Sequence, residues 1–575
     1  MTEVAKTADT ATPEYQTFRD QILQWRDRLS GVDWRPWTIV ALAALLRLLL
    51  LGMKPPHFDE GINGWFVDQM LKNGYYRYDP TNYHGPLHFY VLFLSQTLFG
   101  RNLWALRMPI VIMSTVCVWF MLKFEPFIGR NVSRWAALAM AVSPGFVFYG
   151  RYSIHEVWLV FFSMLFVYGL LGLRRAGTAN YLWACGMGIT GMILTKETYI
   201  IHFVCAAIAG LLCWVSNRIS PVDDAPVDRR KWDAIDLVTV IATSVALIVF
   251  FYSGTFFHWS GVKGLGLAYT AWFETGTNGH GHEKPWDYWL RLTGRYELPV
   301  IFGLATSLFS LRLRNSSLRF LAIYGVGTIM AYSIVHYKTP WCIISLVWPI
   351  LPLFGAAANL VPLRLRAGEW FAALSIVTVG AGVSIAFALT QDYQFVWPFL
   401  LVSALGLYLL VLRDAKIVFA LQGAVVAVSL GWAIWLNYFQ CTTDTEPYVY
   451  VQTYNDIFKL TRPVLALASR SPALYEMKGH LIRTSSYPLP WILGDFPRVG
   501  YYEHEAVPEK MDADFLLVQS DRIEEVEKKL LNSYYTEPVT IRPYQDTSKV
   551  YFDARRFKDF FPGRVPDFTG KGATN

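Results

Sequence analysis

The sequence is poor in charged residues, in cysteine and in nucleotide-binding motifs. Only 17% of its 575 residues are charged, whereas 54% are hydrophobic, a balance that is rare in soluble globular proteins. Five of the six cysteines fall in apolar runs, and only Cys441 does not, so no disulfide framework is predicted. The sequence contains no Walker loop, dinucleotide fingerprint or repeat period. Nucleotide hydrolysis is therefore not predicted, and any activated donor must carry its own energy.

Aromatic and basic residues are distributed as in a membrane protein. Aromatic residues make up 16% of the chain, with 22 tryptophans, and amphipathic rings collect at membrane interfaces. The net charge of +7 comes mostly from Lys and Arg in short loops between apolar runs, which is typical of topology control. Membrane lipid is therefore a predicted partner and nucleic acid is not.

Apolar runs of roughly 15 to 22 residues predict a polytopic all-α membrane domain of about thirteen spans. The shorter Leu87–Phe99 run is predicted to be an interfacial or re-entrant helix in the first external loop. The predicted spans are Trp37–Met53, Met108–Phe124, Trp135–Tyr149, Val157–Leu173, Tyr181–Thr195, Tyr199–Val215, Ile235–Tyr252, Leu298–Leu311, Phe320–Val335, Trp341–Val361, Trp370–Thr390, Phe395–Leu412 and Ile417–Trp435.

The basic loops indicate the orientation, because short cytoplasmic loops carry the Lys/Arg excess. Alternate loops are basic, from Arg26–Arg35 to Arg413–Lys416, and are predicted to be cytoplasmic in a multi-pass plasma or inner membrane. The loops predicted on the opposite, extracytoplasmic side contain the polar clusters that are candidates for catalysis or ligand binding. These are Asp59-Glu60, His84, Arg151 to Glu156, Lys196-Glu197, His280 to Glu283 and His336 to Lys338.

Three regions follow: a cytoplasmic segment 1–36, a transmembrane domain 37–438 and an external α/β domain 439–575. The N-terminal segment lacks a signal-peptide core and is predicted to include an amphipathic helix near Tyr15–Leu29. Hydropathy falls after Leu436, where short strand and helix patterns begin. The predicted strands are Tyr448–Val451, Phe515–Val518, Val539–Pro543 and Val550–Asp553, and the predicted helices are Asp456–Ser469 and Arg522–Leu531.

Two polar features near the first span are candidates for chemistry. Asp59 and Glu60 follow the span where it surfaces into a loop rich in His, Tyr, Asn and Gly. Arg47 lies inside the span, where an ionisable group is costly and indicates a functional site by default. The alternatives are that Arg47 snorkels to the interface and that both acids cap a helix beginning near Gly61.

A set of motifs carries a family resemblance over roughly the first 360 residues. The segment from Phe58 to Arg107 resembles the first external loop of the protein O-mannosyltransferase-like membrane glycosyltransferases, and later motifs resemble the same superfamily, which includes the lipid A aminoarabinose transferases. The external domain resembles the flippase-activity-associated branch. The motifs are Asp59-Glu60, Gly74-Tyr75-Tyr76, His84-Gly85-Pro86-Leu87, Leu106-Arg107 with Pro109, Ser143-Pro144, Arg151 with Glu156, Gly191 with Lys196, Lys338-Thr339-Pro340-Trp341 and Tyr487 to Trp491 before Asp495.

The resemblance implies a GT-C-like fold and transfer of a sugar from a polyprenyl-phosphate-linked donor to a glycan, lipid or protein acceptor, usually with inversion. Asp59 is then expected to be the general base, because one carboxylate suffices to take the acceptor proton in a single displacement. Glu60 would orient it, bind a metal or bind the acceptor. Arg47, Glu156, Tyr487 and Trp491 are candidate contacts to acceptor or substrate.

The departing phosphate needs positive charge, for which Arg151, Lys196 and Lys338 are the candidates. His84 stands where the aminoarabinose transferases place a lysine, so that contact has either been lost or passed to an imidazole. Snorkelling at a span end is the alternative for the three basic residues.

His280, His282 and Glu283 form a Gly-spaced cluster in a long external loop. Two imidazoles and a carboxylate suit a divalent metal such as Zn²⁺, Mn²⁺ or Mg²⁺, and His57 and His88 would be able to complete the site. The spacing matches no standard metal motif, so a mobile lid over substrate is an equal alternative.

Two other classes of function remain open. A transporter, or a non-catalytic accessory to lipid-linked sugar translocation, would carry its polar residues near mid-membrane, whereas here they gather at one face. A third interpretation is that the external domain docks carbohydrate on Tyr448, Tyr487 and Trp491. The alternative is that these three residues are buried core aromatics.

Overall fold

The computed structural model describes residues 33–224, 230–278, 281–361, 367–390, 399, 402–403, 406–408, 411–504, 506–543 and 545–572. The predicted helix near Tyr15–Leu29, the candidate ligand His280 and most of the predicted span Phe395–Leu412 lie outside these residues.

The membrane part is built from helices, several of them broken. They are α1 Arg35–Leu48, α2 Phe58–Asn73, α3 Leu87–Phe99, α4 Leu103–Leu122, α5 Glu125–Ile128, α6 Arg130–Val142, α7 Pro144–Tyr149, α8 Glu156–Arg175, α9 Ala179–Ile193, α10 Tyr199–Ile219, α11 Ala234–Tyr252, α12 Ser260–Asn278, α13 Tyr288–Tyr296, α14 Leu298–Ser307, α15 Ser316–Ile334, α16 Ile343–Val347, α17 Leu351–Gly355, α18 Ala367–Leu389 and α19 Ala415–Ile434. A π-helical turn, Trp435–Phe439, extends α19.

The polytopic helical fold is confirmed, and the structure divides the predicted spans into long and short helices. In the described part of the chain, seven helices are long and apolar enough to cross a membrane, and a pair bent by 51°, Pro340–Val347 with Leu351–Leu360, makes an eighth if it counts as one span. Other predicted spans coincide with shorter helices, namely α1, α9 and α14. The predicted span Trp135–Tyr149 is divided into α6 and α7 at Ser143-Pro144, because proline removes a helical donor.

The C-terminal domain is the predicted α/β unit. Its sheet has the order β2-β1-β3-β5-β4-β6, with β1 parallel to β2 and β3 and the other pairs antiparallel. The strands are β1 Gly479–Ile482, β2 Val499–Tyr502, β3 Phe515–Gln519, β4 Ser533–Val539, β5 Ser548–Asp553 and β6 Phe568–Thr569, and the helices are α20 Ile457–Ala468, α21 Leu489–Ile492 and α22 Ile523–Glu527.

Alternation along β3 explains how the sheet is covered on both faces. Phe515 and Leu517 pack into one apolar cluster together with Val464 of α20. Leu516 and Val518 pack into a second cluster together with Val526 of α22. Successive strand residues point to opposite faces, so this continuously apolar strand is buried on both sides.

Two of the strand predictions need correction. Val539–Pro543 leaves the sheet after Val539, where β4 ends. Tyr448–Val451 pairs with no strand among the described residues and belongs instead to an irregular segment of bends and turns, residues 444–454, which we call the strap. The strap joins the last membrane helix to the α/β domain.

Hydrogen bonds fasten the strap to both parts of the molecule. The Tyr448 hydroxyl donates to Glu297 Oε1 at 3.1 Å, and Gln452 Nε2 donates to the Pro55 carbonyl at 3.2 Å. At its end, Tyr454 N–H donates to the Ile541 carbonyl at 2.7 Å. The strap therefore holds the α/β domain against the membrane helices.

Helix α2 makes a second contact between the two parts. A Cβ built on Gly61 would lie 2.4 Å from Cα of Pro488, and one built on Gly64 would lie 2.4 Å from Cδ1 of Trp491. Both approaches are closer than any real Cβ tolerates, so glycine is required on this face of α2. Arg101 reinforces the contact by bonding Asp68 and the Trp491 carbonyl.

Candidate active site

A cavity of about 890 Å³ lies where the segment between α1 and α4, the ends of several membrane helices and the strap meet. This volume is within the usual range for a small-molecule site. The cavity brings together six of the predicted site residues, which come from segments far apart in sequence: Asp59, His84, Glu156, Lys196, His282 and Lys338. Its ionisable lining consists of Asp59, Tyr83, His84, His155, Glu156, Lys196, Glu197, His282, Lys284, Tyr288, Tyr332, Tyr337, Lys338, Cys342, Asp444, Glu446, Tyr450 and Arg542.

Asp59 stands at the N-terminal end of α2, which His57 caps. His57 Nδ1 accepts the Asp59 N–H at 3.1 Å, and His57 Nε2 lies 2.8 Å from the Tyr450 carbonyl. Burial lowers the pKa of His57, so the ring is neutral, with the proton on Nε2 donated to Tyr450. The Asp59 side chain lines the cavity and remains 28% exposed. Among the described residues, no Lys or Arg nitrogen lies within 4.0 Å of its carboxylate, which is therefore available to a substrate.

Glu60 has a different environment. It is fully buried and accepts bonds from Arg107 at 2.8 and 2.7 Å and from the backbone N–H groups of His57 and Ser153, both at 2.9 Å. Burial opposes ionisation, but Arg107 dominates and lowers the pKa of Glu60. Glu60 completes a capping box with His57 and does not line the cavity. The helix-capping interpretation thus applies to Glu60, and the geometry favours a supporting rather than a chemical role.

Two acid–base pairs occupy one wall of the cavity. Lys196 is ion-paired with Glu156, and its Nζ also lies 3.5 Å from Cys342 Sγ. His84 Nδ1 lies 2.9 Å from Glu197 Oε2, and this contact lowers the pKa of Glu197 although burial acts against it. The predicted residues His84, Glu156 and Lys196 therefore line one wall, where Lys196 is paired with Glu156 and His84 contacts Glu197.

A short two-strand contact forms another wall. Lys338 N–H donates to the His282 carbonyl at 2.9 Å, and Lys284 N–H donates to the His336 carbonyl at 3.0 Å. Lys338 Nζ in turn bonds the Lys284 carbonyl at 3.1 Å. Pairing of these loops places the predicted residues His282 and Lys338 on the cavity, together with Lys284.

Arg151 and Arg47 are placed in the framework and not on the cavity. The Arg151 guanidinium bonds the carbonyls of residues 46, 47, 49 and 50 and the Tyr438 hydroxyl, so it satisfies the C-terminal end of α1. Arg47 bonds Ser114 Oγ at 2.7 Å and the carbonyls of residues 43, 140 and 141. This geometry argues against phosphate binding by Arg151, against substrate binding by Arg47 and against snorkelling by either.

Tyr487 and Trp491 also lie away from the cavity. Trp491 is buried against Gly64 of α2, and Tyr487 packs edge-on against Phe58 with ring centres 5.9 Å apart. Tyr448 is fully buried in the strap. These aromatic residues form contacts between the two domains. This agrees with the alternative that they are buried core residues and not a stacking surface for carbohydrate.

The metal prediction is tested only in part. In the described ranges, no group of three His, Cys, Asp or Glu residues is arranged to hold a metal, but His280 falls outside them. His282 Nδ1 bonds the Tyr450 hydroxyl at 2.6 Å, and Glu283 does not line the cavity. Both ring nitrogens of His88 are engaged, with Trp158 and Ser153, so His88 is not free to join such a site. Metal binding at His280, His282 and Glu283 stays a prediction.

Glu197, Lys284 and Arg542 are among the charged cavity residues that the sequence interpretation did not name as site residues. Glu197 follows the candidate Lys196, and Lys284 follows the predicted cluster His282-Glu283, so neighbouring polar residues were the available signal. Arg542 belongs to no motif and comes from the other domain. Only the packing of the α/β domain brings it to the cavity.

The helical membrane domain with a polar cavity at one end and an appended α/β domain defines a polytopic protein with a GT-C-like fold. Residues 83–221 match the family model for dolichyl-phosphate-mannose-protein mannosyltransferase. ArnT from Cupriavidus metallidurans has a similar fold: its apo crystal structure matches with a TM-score of 0.54 at 16% identity, covering 93% of this chain and 99% of ArnT.

The crystal structure of the same ArnT bound to undecaprenyl phosphate also matches, with a TM-score of 0.54 at 16% identity, covering 89% of this chain and 97% of ArnT. No curated protein matches by sequence. These comparisons confirm the GT-C-like fold, and the long apolar helices of the described residues support an integral membrane protein.

Proposed function

We propose that this chain transfers a sugar from a polyprenyl-phosphate-linked donor to an acceptor at the extracytoplasmic face, with inversion. The observation that carries the proposal is the Asp59 carboxylate, which is presented to a large polar cavity by a rigid helix N-terminus and has no cation bound to it. The similarity in fold to ArnT, which binds undecaprenyl phosphate, supports the choice of donor.

The proposed step is a single displacement. Asp59 takes the proton of the acceptor hydroxyl or amine as that group attacks the anomeric carbon. The bond from the anomeric carbon to the phosphate oxygen breaks, and its electron pair leaves with the phosphate. Attack from the face opposite the leaving group inverts the anomeric centre. One carboxylate is sufficient, in agreement with the engagement of Glu60 by Arg107.

Donor-phosphate binding by Lys196, Lys338 and His84 belongs to the same proposal, since all three line the cavity. Lys196 and His84 already have carboxylate partners, so they would act as neutralised pairs that orient substrate polar groups. Lys338 has none within 4.0 Å among the described residues and is the more available cation. Glu156, as the partner of Lys196, would position that ammonium group.

A transporter or translocation accessory is the alternative function. It would be favoured by polar groups open to a path near mid-membrane. The ionisable residue predicted at that depth, Arg47, is bonded to Ser114 and to three backbone carbonyls. The polar cavity lies instead at the end of the helices, which favours the enzyme.

The orientation is part of the proposal: the N-terminus is cytoplasmic and the α/β domain extracytoplasmic. A cysteine introduced at the exposed position Asp559 should react with a membrane-impermeant maleimide in intact cells. The native cysteines are all buried, so background labelling should be low. Labelling only after cell lysis would reverse the orientation.

The first experiment is transfer from a radiolabelled short-chain polyprenyl-phosphate sugar panel to acceptors in membranes. Wild type, Asp59→Asn and the exposed control Asp559→Asn are compared at equal expression. Loss of transfer in Asp59→Asn alone supports both the enzyme and its base. Equal transfer in all three removes Asp59 from this role, and binding without transfer in wild type supports the accessory function.

A metal is a separate proposal, because the displacement above needs none. If His280, His282 and Glu283 hold a divalent ion, a chelator should abolish transfer, and Zn²⁺, Mn²⁺ or Mg²⁺ should restore it. Transfer that survives exhaustive chelation would rule out an essential metal at this loop.

A further inference from the structure

Arg542 extends from the α/β domain into the cavity of the membrane domain. It is only 5% exposed, and its guanidinium lies 4.1 Å from the ring centre of Phe58, the residue before Asp59. One terminal nitrogen donates to Ser485 Oγ at 2.9 Å, while Nε has no partner among the described residues. Burial and Arg483 lower the pKa of Arg542 to about 10, so it remains charged at neutral pH.

Contacts of the strap link Arg542 to Lys284 and Lys338. The residue before Arg542, Ile541, accepts the strap's Tyr454 N–H. Four residues before Tyr454 in the strap, the Tyr450 ring centre lies 5.5 Å from Lys284 Nζ. Lys284 in turn accepts the ammonium group of Lys338 at its carbonyl. Arg542, Lys284 and Lys338 all line the same cavity, and we call them the cation cluster.

No direct ion pair is formed by the cation cluster among the described residues. Among the described residues, no carboxylate lies within 4.0 Å of any of its three members. The cavity carboxylates Glu156, Glu197 and Glu446 are matched by Lys196, His84 and Arg295 respectively, which leaves only Asp59 and Asp444 for three cations. Lys338 and Arg542 are buried, and Lys284 is half-buried. Buried cations without an ion pair are unfavourable, and a bound anion would relieve the imbalance.

We propose that Arg542, together with Lys284 and Lys338, binds the phosphate that leaves the sugar, so that the α/β domain completes the active site. This inference rests on the proposed function. As the bond from the anomeric carbon to oxygen breaks, the electron pair stays on the phosphate oxygen and the acceptor proton passes to Asp59. The phosphate changes from a diester with one negative charge to a monoester with nearly two. Cations fixed in advance stabilise that growing charge more than they stabilise the donor.

The test compares Arg542→Gln with Arg498→Gln in the full chain in lipid nanodiscs. Arg498 is an exposed arginine of the same domain, paired with Glu476 and absent from the cavity lining, so it controls for the loss of one charge. Undecaprenyl phosphate binding is measured directly, because it requires no transfer. We expect Arg542→Gln to weaken this binding about tenfold or more and to lower kcat about 10²-fold, with a smaller change in KM. Arg498→Gln should change neither.

Further variants separate phosphate recognition from structural damage. Arg542→Lys should restore part of the lost binding, and undecaprenol, which has the tail without the phosphate, should bind wild type and Arg542→Gln equally. If Arg542→Gln does not fold, judged by its thermal unfolding, Lys284→Gln on its loop should produce the same selective loss. Unchanged undecaprenyl phosphate binding in a folded variant would overturn the inference. Arg542-dependent binding in a wild type that transfers no sugar would support the phosphate site and refute the proposed transfer.

Discussion

Adjacent carboxylates with different environments provide the sharpest test of the site. Asp59→Asn removes a carboxylate that is partly exposed and bonded to no cation, whereas Glu60→Gln removes one that holds Arg107 and two backbone N–H groups. We therefore expect Asp59→Asn to abolish activity with little effect on stability. Glu60→Gln should mainly lower the free energy of unfolding.

The magnitudes follow from the contacts. Breaking a fully buried, hydrogen-bonded ion pair from one side costs about 3–5 kcal/mol, since Arg107 is left charged with no exposure to water. A partly exposed carboxylate without an ion pair contributes less than about 1 kcal/mol to stability, but loss of a general base lowers the rate about 10²–10⁴-fold. The two neighbouring substitutions should therefore separate stability from chemistry.

The assay is thermal unfolding of purified protein in nanodiscs together with sugar transfer below the unfolding midpoint. Glu60→Gln should unfold at clearly lower temperature, and the double variant Glu60→Gln/Arg107→Gln should lose less stability than the two single losses added together. The folded pKa of Glu60 is lowered, so its contribution is fully present above the ordinary carboxyl pKa of about 4.3 and is lost as the pH falls through the lowered value. A Glu60→Gln variant that is stable but inactive would refute this division of roles.

Three further predictions concern other parts of the site. Lys54 is buried without a hydrogen-bond partner for Nζ, and burial lowers its pKa to about 7, so Lys54→Met should stabilise the protein by ~1–4 kcal/mol at pH 7. Between pH 7 and about 10.4 only the unfolded chain keeps the proton, so the free energy of unfolding of the wild type should rise with pH. The variant should not show this rise. Gly61→Ala should cost about 1–3 kcal/mol by overpacking against Pro488 and should speed limited proteolysis of the α/β domain; an unchanged digestion rate would contradict the tight contact. His84→Asn should raise the pKa of Glu197, so acid unfolding should begin at higher pH than in wild type, and coincident curves would show that the pair contributes nothing.

The sequence predicted the architecture well, because long apolar runs and alternating basic loops are local signals. It also selected the loops that meet at the cavity. It was unable to separate the roles of Asp59 and Glu60, since that depends on Arg107, which lies 47 positions away. Consecutive helix residues point about 100° apart, so an acidic pair at a helix start does not present both members to one cavity.

Other differences arise from tertiary contacts without a sequence signature. Tyr448–Val451 has the composition of a strand, but no strand lies beside it in the part of the chain that the structure describes, and its polar groups bond the side chains of Glu297, Tyr149 and His57 instead. Arg151 has the position of a phosphate ligand, yet the end of α1 offers it four carbonyls. Arg542 was missed because the chain carries it on a different domain from the rest of the cavity.

The glycine face of α2 ties the evolution of the two domains together. The helix that bears Asp59 at its start packs on Pro488 and Trp491 at Gly61 and Gly64, within its first two turns. Any change in the position of the α/β domain is therefore transmitted to the Asp59 carboxylate as a rigid-body shift of α2. Exchange of this domain between related proteins should therefore succeed only when the matching α2 is exchanged with it. Helix α2 and the α/β domain that packs on it are therefore expected to be inherited together.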